Sequence, residues 1–233
     1  MKYIKTADPT LELTFTENIN KDYGFHNHLN HYIITLVTEG SVLFRTETSS
    51  KIFNTNEFFI IPPYEVHSVS IDKNSKAISF CIEKNLAQSN NFHKIKSFLK
   101  TAYSKKHITE SQMETFRTAA EKLTYFPKKE LSGKFSEIIE TFEDYSLDEI
   151  SKSINISKYH LIRKFKSSVG LTPHKVQIQN RIRKSQKLLD YEKAKITDVC
   201  FMTGFYDQSH YDKTFKKIVG ISPKEYIKSV VKI

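Results

Sequence analysis

The chain has 233 residues, 39% of them hydrophobic, with 17 Phe and 12 Tyr, so it can bury a real core and is long enough for two domains of ordinary size. No apolar run approaches the roughly 20 residues a bilayer span needs, and the opening MKYIKTADPTLEL lacks the apolar stretch and small-residue site of a secretory signal. Cys81 and Cys200 alone cannot build a disulfide framework or a Cys zinc site, and a cytoplasmic protein without membrane contact is the expectation.

In chain order, residues 10–83 read as short strands. Leu11, Leu13 and Phe15 alternate with polar neighbours, followed by His31–Thr38, Val42–Thr46, Glu57–Ile61, His67–Ile71 and Ala77–Ile82. Turn residues separate them at Glu39-Gly40, Asn54-Thr55-Asn56, Pro62-Pro63 and Asp72-Lys73-Asn74. Short strands at this spacing predict an antiparallel sandwich or barrel.

Residues 92–126 change period. Phe92, Ile95, Phe98, Leu99, Ala102 and then Met113, Phe116, Ala119, Ala120, Leu123 recur at three- and four-residue steps, which predicts two amphipathic helices whose stripe serves as core or as a dimer face. Pro127, the charged Lys128–Glu130 and Gly133 mark a domain boundary. Beyond it short helices are expected over Phe135–Phe142, Leu147–Ile154, Ser157–Ser168, Pro173–Leu189, Ile196–Met202, Gln208–Ile218 and Pro223–Val230. Ser146, Thr172-Pro173 and Ser222-Pro223 supply N-terminal caps, and Gly170 and Gly220 suit helix ends.

The charge is not spread evenly. The formal net charge is +10, yet residues 151–233 hold eighteen basic side chains against six acidic ones, leaving residues 1–150 at −2. A general lysine bias would raise both halves; here one end is built to meet a polyanion.

That end contains a duplication. HLIRKFKSSVGLTP (His160–Pro173) aligns with HYDKTFKKIVGISP (His210–Pro223) at a constant offset of 50, and Leu147/Ile196 and Ile150/Val199 match at 49, so the second copy has one extra residue in its turn. Each copy reads as short helix, turn, longer helix: a helix-turn-helix twice. Leu161 and Phe165 share one face and pack toward Ile150 and Ile154, which turns Lys158, Tyr159, Ile162, Arg163 and Lys166 outward. In the second copy Tyr211 and Phe215 take the buried places and leave Gln208, Ser209, Asp212, Lys213 and Lys216 outside. Arg163 suits guanine, Gln208 adenine, Ile162 a thymine methyl and Asp212 a cytosine amino group, while Lys158, Lys166 and Lys216 suit phosphate. The joining helix, Pro173–Leu189, would hold two reading helices about one DNA turn, near 34 Å, apart.

The run LDEIS, SKYHLIRKFKSSVGLTP, RIRKSQKLL, ITDVCFMTGFYDQSHYDKTFKKIVGISPKEY resembles the DNA-binding domain of AraC/XylS-type bacterial transcription regulators across about a hundred residues. The strand region, on His26-Asn27-His28, Val37–Gly40, Asn56–Pro63 and Val66-His67, looks like that family's cupin-like jelly-roll effector half. The resemblance implies two domains: a cupin-like all-β barrel over 1–90, a helical linker or dimerisation region over 91–130, and an all-α tandem helix-turn-helix domain over 131–233. It implies that the outward residues enter successive major grooves, with double-stranded DNA, a small-molecule effector, RNA polymerase and a second copy of the chain as partners. Ile162, Ser185 and Asp212 depart from the family's usual residues at their positions.

Among the histidines of the barrel, His26, His28, His31 and His67 leave three readings open: plain packing, an effector pocket, or three imidazoles for a metal. His26, His28 and His67 are expected as effector-pocket residues, with no metal and no other cofactor, because the usual cupin glutamate is not at its spacing after His28. His160 and His210 read as phosphate contacts or packing residues rather than catalysts. The expectation is a regulator and not an enzyme; the rivals are a metal-dependent cupin enzyme fused to a DNA-binding domain, and a ligand-free regulator controlled by a protein partner.

Overall fold

The computed structural model describes residues 1–5, 10–88, 92–125, 147–192 and 194–233; the helix expected over 135–142, the boundary near 127–133 and the cap expected at Ser146 lie outside them. The chain divides into two compact units, Met1–Pro127 with Lys224–Ile233, and Lys128–Pro223.

The first unit contains two sheets. One has the strand order β10-β1-β2-β9-β4-β7, built from β1 (Lys2–Lys5), β2 (Leu11–Thr16), β4 (His31–Glu39), β7 (Phe58–Ile61), β9 (Lys76–Glu83) and β10 (Val230–Lys232). The other, β3-β8-β5-β6, uses β3 (Lys21–His26), β5 (Ser41–Thr46), β6 (Ser50–Asn54) and β8 (His67–Ile71). Ile33 and Val37 of β4, Phe59 and Ile61 of β7, Ala77 of β9, Val42 of β5 and Ile71 of β8 form one core that draws on both sheets. The alternate residues Tyr32, Ile34, Leu36, Ile78, Phe80 and Ile82 join a second core with the helices α1 (Lys84–Gln88), α2 (Phe92–Ser104) and α3 (Glu110–Glu121). β4 is therefore buried on both faces, which is why HYIITLVT is apolar on both sides of Thr35 in place of alternating.

The helical stripe is core. Ile95, Phe98, Leu99 and Ala102 of α2 and Phe116, Ala119 and Ala120 of α3 are buried in the cluster that holds the sheet's Phe80, so this stripe is spent within the unit. A capping box at Thr109 and Gln112 starts α3.

The same unit takes in residues from far along the chain. β10 pairs in parallel with β1, Tyr3 against Val230 through Lys5 against Lys232. Tyr226 is buried edge-on to Tyr3 with ring centroids 5.0 Å apart. The ammonium of Lys5 donates 2.5 Å to the Tyr226 hydroxyl and pairs with Glu12 at 2.8 Å. Burying an amine is tolerable because its charge is matched and its protons are used.

In the second unit the described helices are α4 (Leu147–Ser153), α5 (Lys158–Val169), α6 (Pro173–Lys187), α7 (Ile196–Met202) and α8 (Gln208–Val219); α9 (Pro223–Ser229) follows. The spacing predicts a connecting rod of uninterrupted α-helix to Leu189, but α6 ends at Lys187 and the following turn, Leu188–Glu192, widens to π geometry. That change lets Leu188 and Leu189 both turn inward, where they are buried.

Candidate nucleic-acid interface and histidine cluster

The duplication is a duplication of hydrogen bonds. In the first turn the Asn155 and Ile156 amides donate to the Lys152 and Ser151 carbonyls; in the second, Gly204 and Phe205 donate to Phe201 and Cys200, the same four positions shifted by 49. Asn155 and Gly204 both take the left-handed conformation, at φ 54° and 77°, a region that Asn and Gly reach at least cost. After the turn the offset becomes 50, which identifies Tyr206 as the extra residue; it stands 93% exposed, immediately before the next cap. The longer helices α5 and α8 then start alike. Ser157 accepts from the His160 amide and Asp207 from the His210 amide, and both helices end on a left-handed glycine, Gly170 and Gly220.

The buried faces also correspond: Leu161, Phe165 and Val169 on α5, Tyr211, Phe215 and Val219 on α8. Ile150 is buried beneath α5 as expected, while Ile154 is only half-buried. On the opposite face of α5, Lys158, Tyr159, Arg163 and Lys166 are exposed, Tyr159 to 75%, and Ile162 is half-buried. On α8, Gln208, Ser209, Lys213 and Lys216 are exposed. Asp212 is half-buried with its Oδ1 shielded from solvent. Lys158 does not stand alone; its ammonium meets Asp148 of α4 at 2.8 Å in an exposed ion pair. His210 is exposed and lies edge-on to Phe205 with ring centroids 5.5 Å apart.

Helix α6 touches both α5 and α8. Arg181, in the sequence only one more cation, donates from Nη1 to the Gly204 carbonyl at 2.8 Å and so ties the second turn to this helix. Its signal is legible in principle, an arginine on the joining helix facing the glycine turn, but its partner lies 23 residues away. Ser185 is fully buried, and its hydroxyl is satisfied by the Ile182 carbonyl at 2.7 Å, which is how a polar residue is accommodated there. A Cβ on Gly204 would sit 3.2 Å from Arg181 Cζ in addition to its left-handed strain. Gly204→Ala should therefore lower the stability of this unit by about 1–2 kcal/mol in chemical denaturation, and an unchanged midpoint would contradict the account.

The second site lies at one end of the four-stranded sheet. His26 of β3 and His67 of β8 are direct partners across the ladder, next to a register shift between Tyr23 and His26, and His28 follows in the loop toward β4. Ring centroids are 4.3 Å apart for His26 and His67, 5.1 Å for His26 and His28, and 5.3 Å for His28 and His67. Burial first, and the neighbouring His26 second, push the His67 imidazole down to about 3 against the lift of its bond to the Glu65 carbonyl. Burial likewise pushes His26 down. His31, the fourth histidine of the barrel sequence, is buried on β4 and stands outside this cluster.

Comparison with known proteins covers both halves. The profile of the AraC-like ligand binding domain matches residues 8–99, and that of a helix-turn-helix domain matches residues 150–229. The chain is 33% identical over 101 residues to the HTH-type transcriptional regulator MtrA of Neisseria gonorrhoeae, covering 43% of this chain and 34% of that protein. It is 28% identical over 83 residues to the HTH-type transcriptional activator RhaS of Escherichia coli, covering 36% of this chain and 30% of that protein. The chain thus spans about a third of the length of these curated relatives. In structure it is similar to ToxT of Vibrio cholerae O395, with a TM-score of 0.61 over 95% of this chain and 98% of that chain at 14% identity. The fold they share is a cupin-like β domain followed by helix-turn-helix units. An AraC-like ligand-binding domain with a helix-turn-helix domain behind it gives the chain the domain organisation of AraC/XylS-type regulators.

Proposed function

We propose that the chain is a sequence-specific DNA-binding transcription regulator that lays α5 and α8 into successive major grooves, under the control of a small effector held by the N-terminal unit. The observation that carries this reading is the pair of reading helices with matched caps, matched buried faces and cationic outer faces, both packed on one joining helix. Arg163 forks onto guanine, Gln208 pairs with adenine, Ile162 and Tyr159 meet base edges or thymine methyls, and Ser209, Lys213 and Asp212 complete the second groove. Lys158, Lys166 and Lys216 hold phosphate and set the register. His26, His28 and His67 line the effector site. The protein acts in the cytoplasm and carries out no catalytic step of its own; the DNA-bound form meets RNA polymerase. A second copy of the chain would have to use residues other than the α2–α3 stripe, which the sheet already covers. Control by a small molecule is supported by a further structure of similar fold, ToxT bound to an unsaturated fatty acid, at a TM-score of 0.57 and 14% identity.

Selection of bound sites from random DNA tests the reading. Two conserved elements about one helical turn apart should be recovered. Affinity for the recovered site should fall steeply with salt, by about a thousandfold or more between 50 and 200 mM if at least six or so phosphates are neutralised. Failure to enrich any sequence, or binding indifferent to salt, would overturn it.

A further inference from the structure

We propose that the Nε2 atoms of His26, His28 and His67 hold a divalent first-row transition-metal ion at the end of the four-stranded sheet. This rests on the reading of the N-terminal unit as a ligand-binding domain and names the chemical class of its ligand. It departs from the sequence expectation of no metal there, and geometry is the reason.

One ring nitrogen from each of the three imidazoles lies within 4.8 Å of the other two. Three nitrogens each about 2.1 Å from one tetrahedral ion stand a little over 3 Å apart, so modest side-chain rotations close the set. The ladder fixes two of the three ligands: His26 and His67 are paired residues, and a paired register cannot slip without moving the whole sheet.

Orientation is more informative than proximity. Nδ1 of His26 lies 2.8 Å from the Gly24 carbonyl, and Nδ1 of His67 lies 2.8 Å from the Glu65 carbonyl. A carbonyl only accepts, so each Nδ1 must carry the ring proton, and each Nε2 is left as the basic nitrogen on the side away from the backbone. That is the arrangement in which a histidine ligates metal: one nitrogen tied to a backbone carbonyl, the other presented to the ion. A histidine serving only as packing has no need to have its tautomer set this way in two neighbouring rings.

The surroundings narrow the ion. His67 is 1% exposed and stacked on Phe44 with centroids 5.9 Å apart, so one wall of the site is apolar. Among the described residues the cluster contains neither a carboxylate nor a thiolate. An all-imidazole set is poor for calcium or magnesium, which take oxygen, and suits zinc, nickel, cobalt, copper or ferrous iron. Three protein ligands leave a coordination position open for water or for an oxygen donor.

The test uses the full chain, treated with chelator and titrated with Co²⁺, with Zn²⁺ as competitor. One Co²⁺ per chain should bind, give a visible ligand-field absorption, and be displaced by Zn²⁺. His28→Ala and His26→Gln, at the half-buried members of the cluster, should weaken binding by about a hundredfold or more, the upper end of what losing even an outer-shell partner costs, while the thermal melt of the metal-free protein is kept. Absence of stoichiometric uptake, or uptake unchanged in both folded variants, overturns the proposal. Uptake is read without DNA, so its failure leaves operator binding standing, and failure of operator binding leaves the metal site standing.

Discussion

Phe80→Ala is expected to remove about 3–5 kcal/mol from the stability of the N-terminal unit, the cost of emptying a large aromatic site that cannot collapse. Phe80 sits on β9 between strands β2 and β4, is 0% exposed, stacks on Phe98 of α2 at 5.7 Å and meets Phe116 of α3 edge-on at 5.6 Å. Its removal leaves apolar walls on three elements at once. Denaturant titration of the unit's transition would read the loss as a lowered midpoint. The result also decides what the helical stripe is for. A change under about 1 kcal/mol would mean that α2 and α3 are not seated on the sheet and that their apolar face is free to meet a second chain.

Arg163→Ala and Lys166→Ala should separate base reading from phosphate holding on the same helix. Both side chains are exposed on the outer face of α5, so neither change disturbs the buried Leu161, Phe165 and Val169. Loss of the guanidinium fork should cost about 1–3 kcal/mol on the selected site and flatten the preference at one base pair. Loss of Lys166 should weaken selected and scrambled DNA alike and lower the salt slope by about one. Arg163→Lys should not restore the preference, because a lysine cannot make the planar two-pronged contact. Equal losses on both DNAs for Arg163→Ala would place this residue on the backbone and remove it from the reading set.

How far the sequence foretold this architecture depends on where each element finds its partner. β2, β4, β5, β7, β8 and β9 were legible because their neighbours bury an apolar face or both. β6 was not, since Ser50–Asn54 is an edge strand almost wholly exposed and shows no alternation. β3 was hidden by Gly24 and by the exposed Asp22 and Phe25, and its direction is fixed by the ladder with β8. β1 and β10 are short and stabilise each other across nearly the whole chain, which no local pattern can announce. The helix-turn-helix copies were the opposite case. Caps, turn residues and buried triplets are all local, so the repeat could be read to the residue, down to the single insertion that the structure assigns to Tyr206. The histidine trio was identified by residue type, but the proton positions that give it chemical meaning come from the Gly24 and Glu65 carbonyls.

The pairing of β10 with β1 has a consequence for biosynthesis. Lys5 and Tyr226 are 221 residues apart, so at about 5–20 residues per second the ribosome needs roughly 10–45 s after making the first before it delivers the second. From the completion of β9 until β10 is made, β1 is a bare outer strand of the nascent sheet, and its amides and carbonyls can recruit any extended chain nearby. The nascent chain is thus open to misassembly along β1 until β10 arrives, and shielding of that margin would raise the yield of native protein.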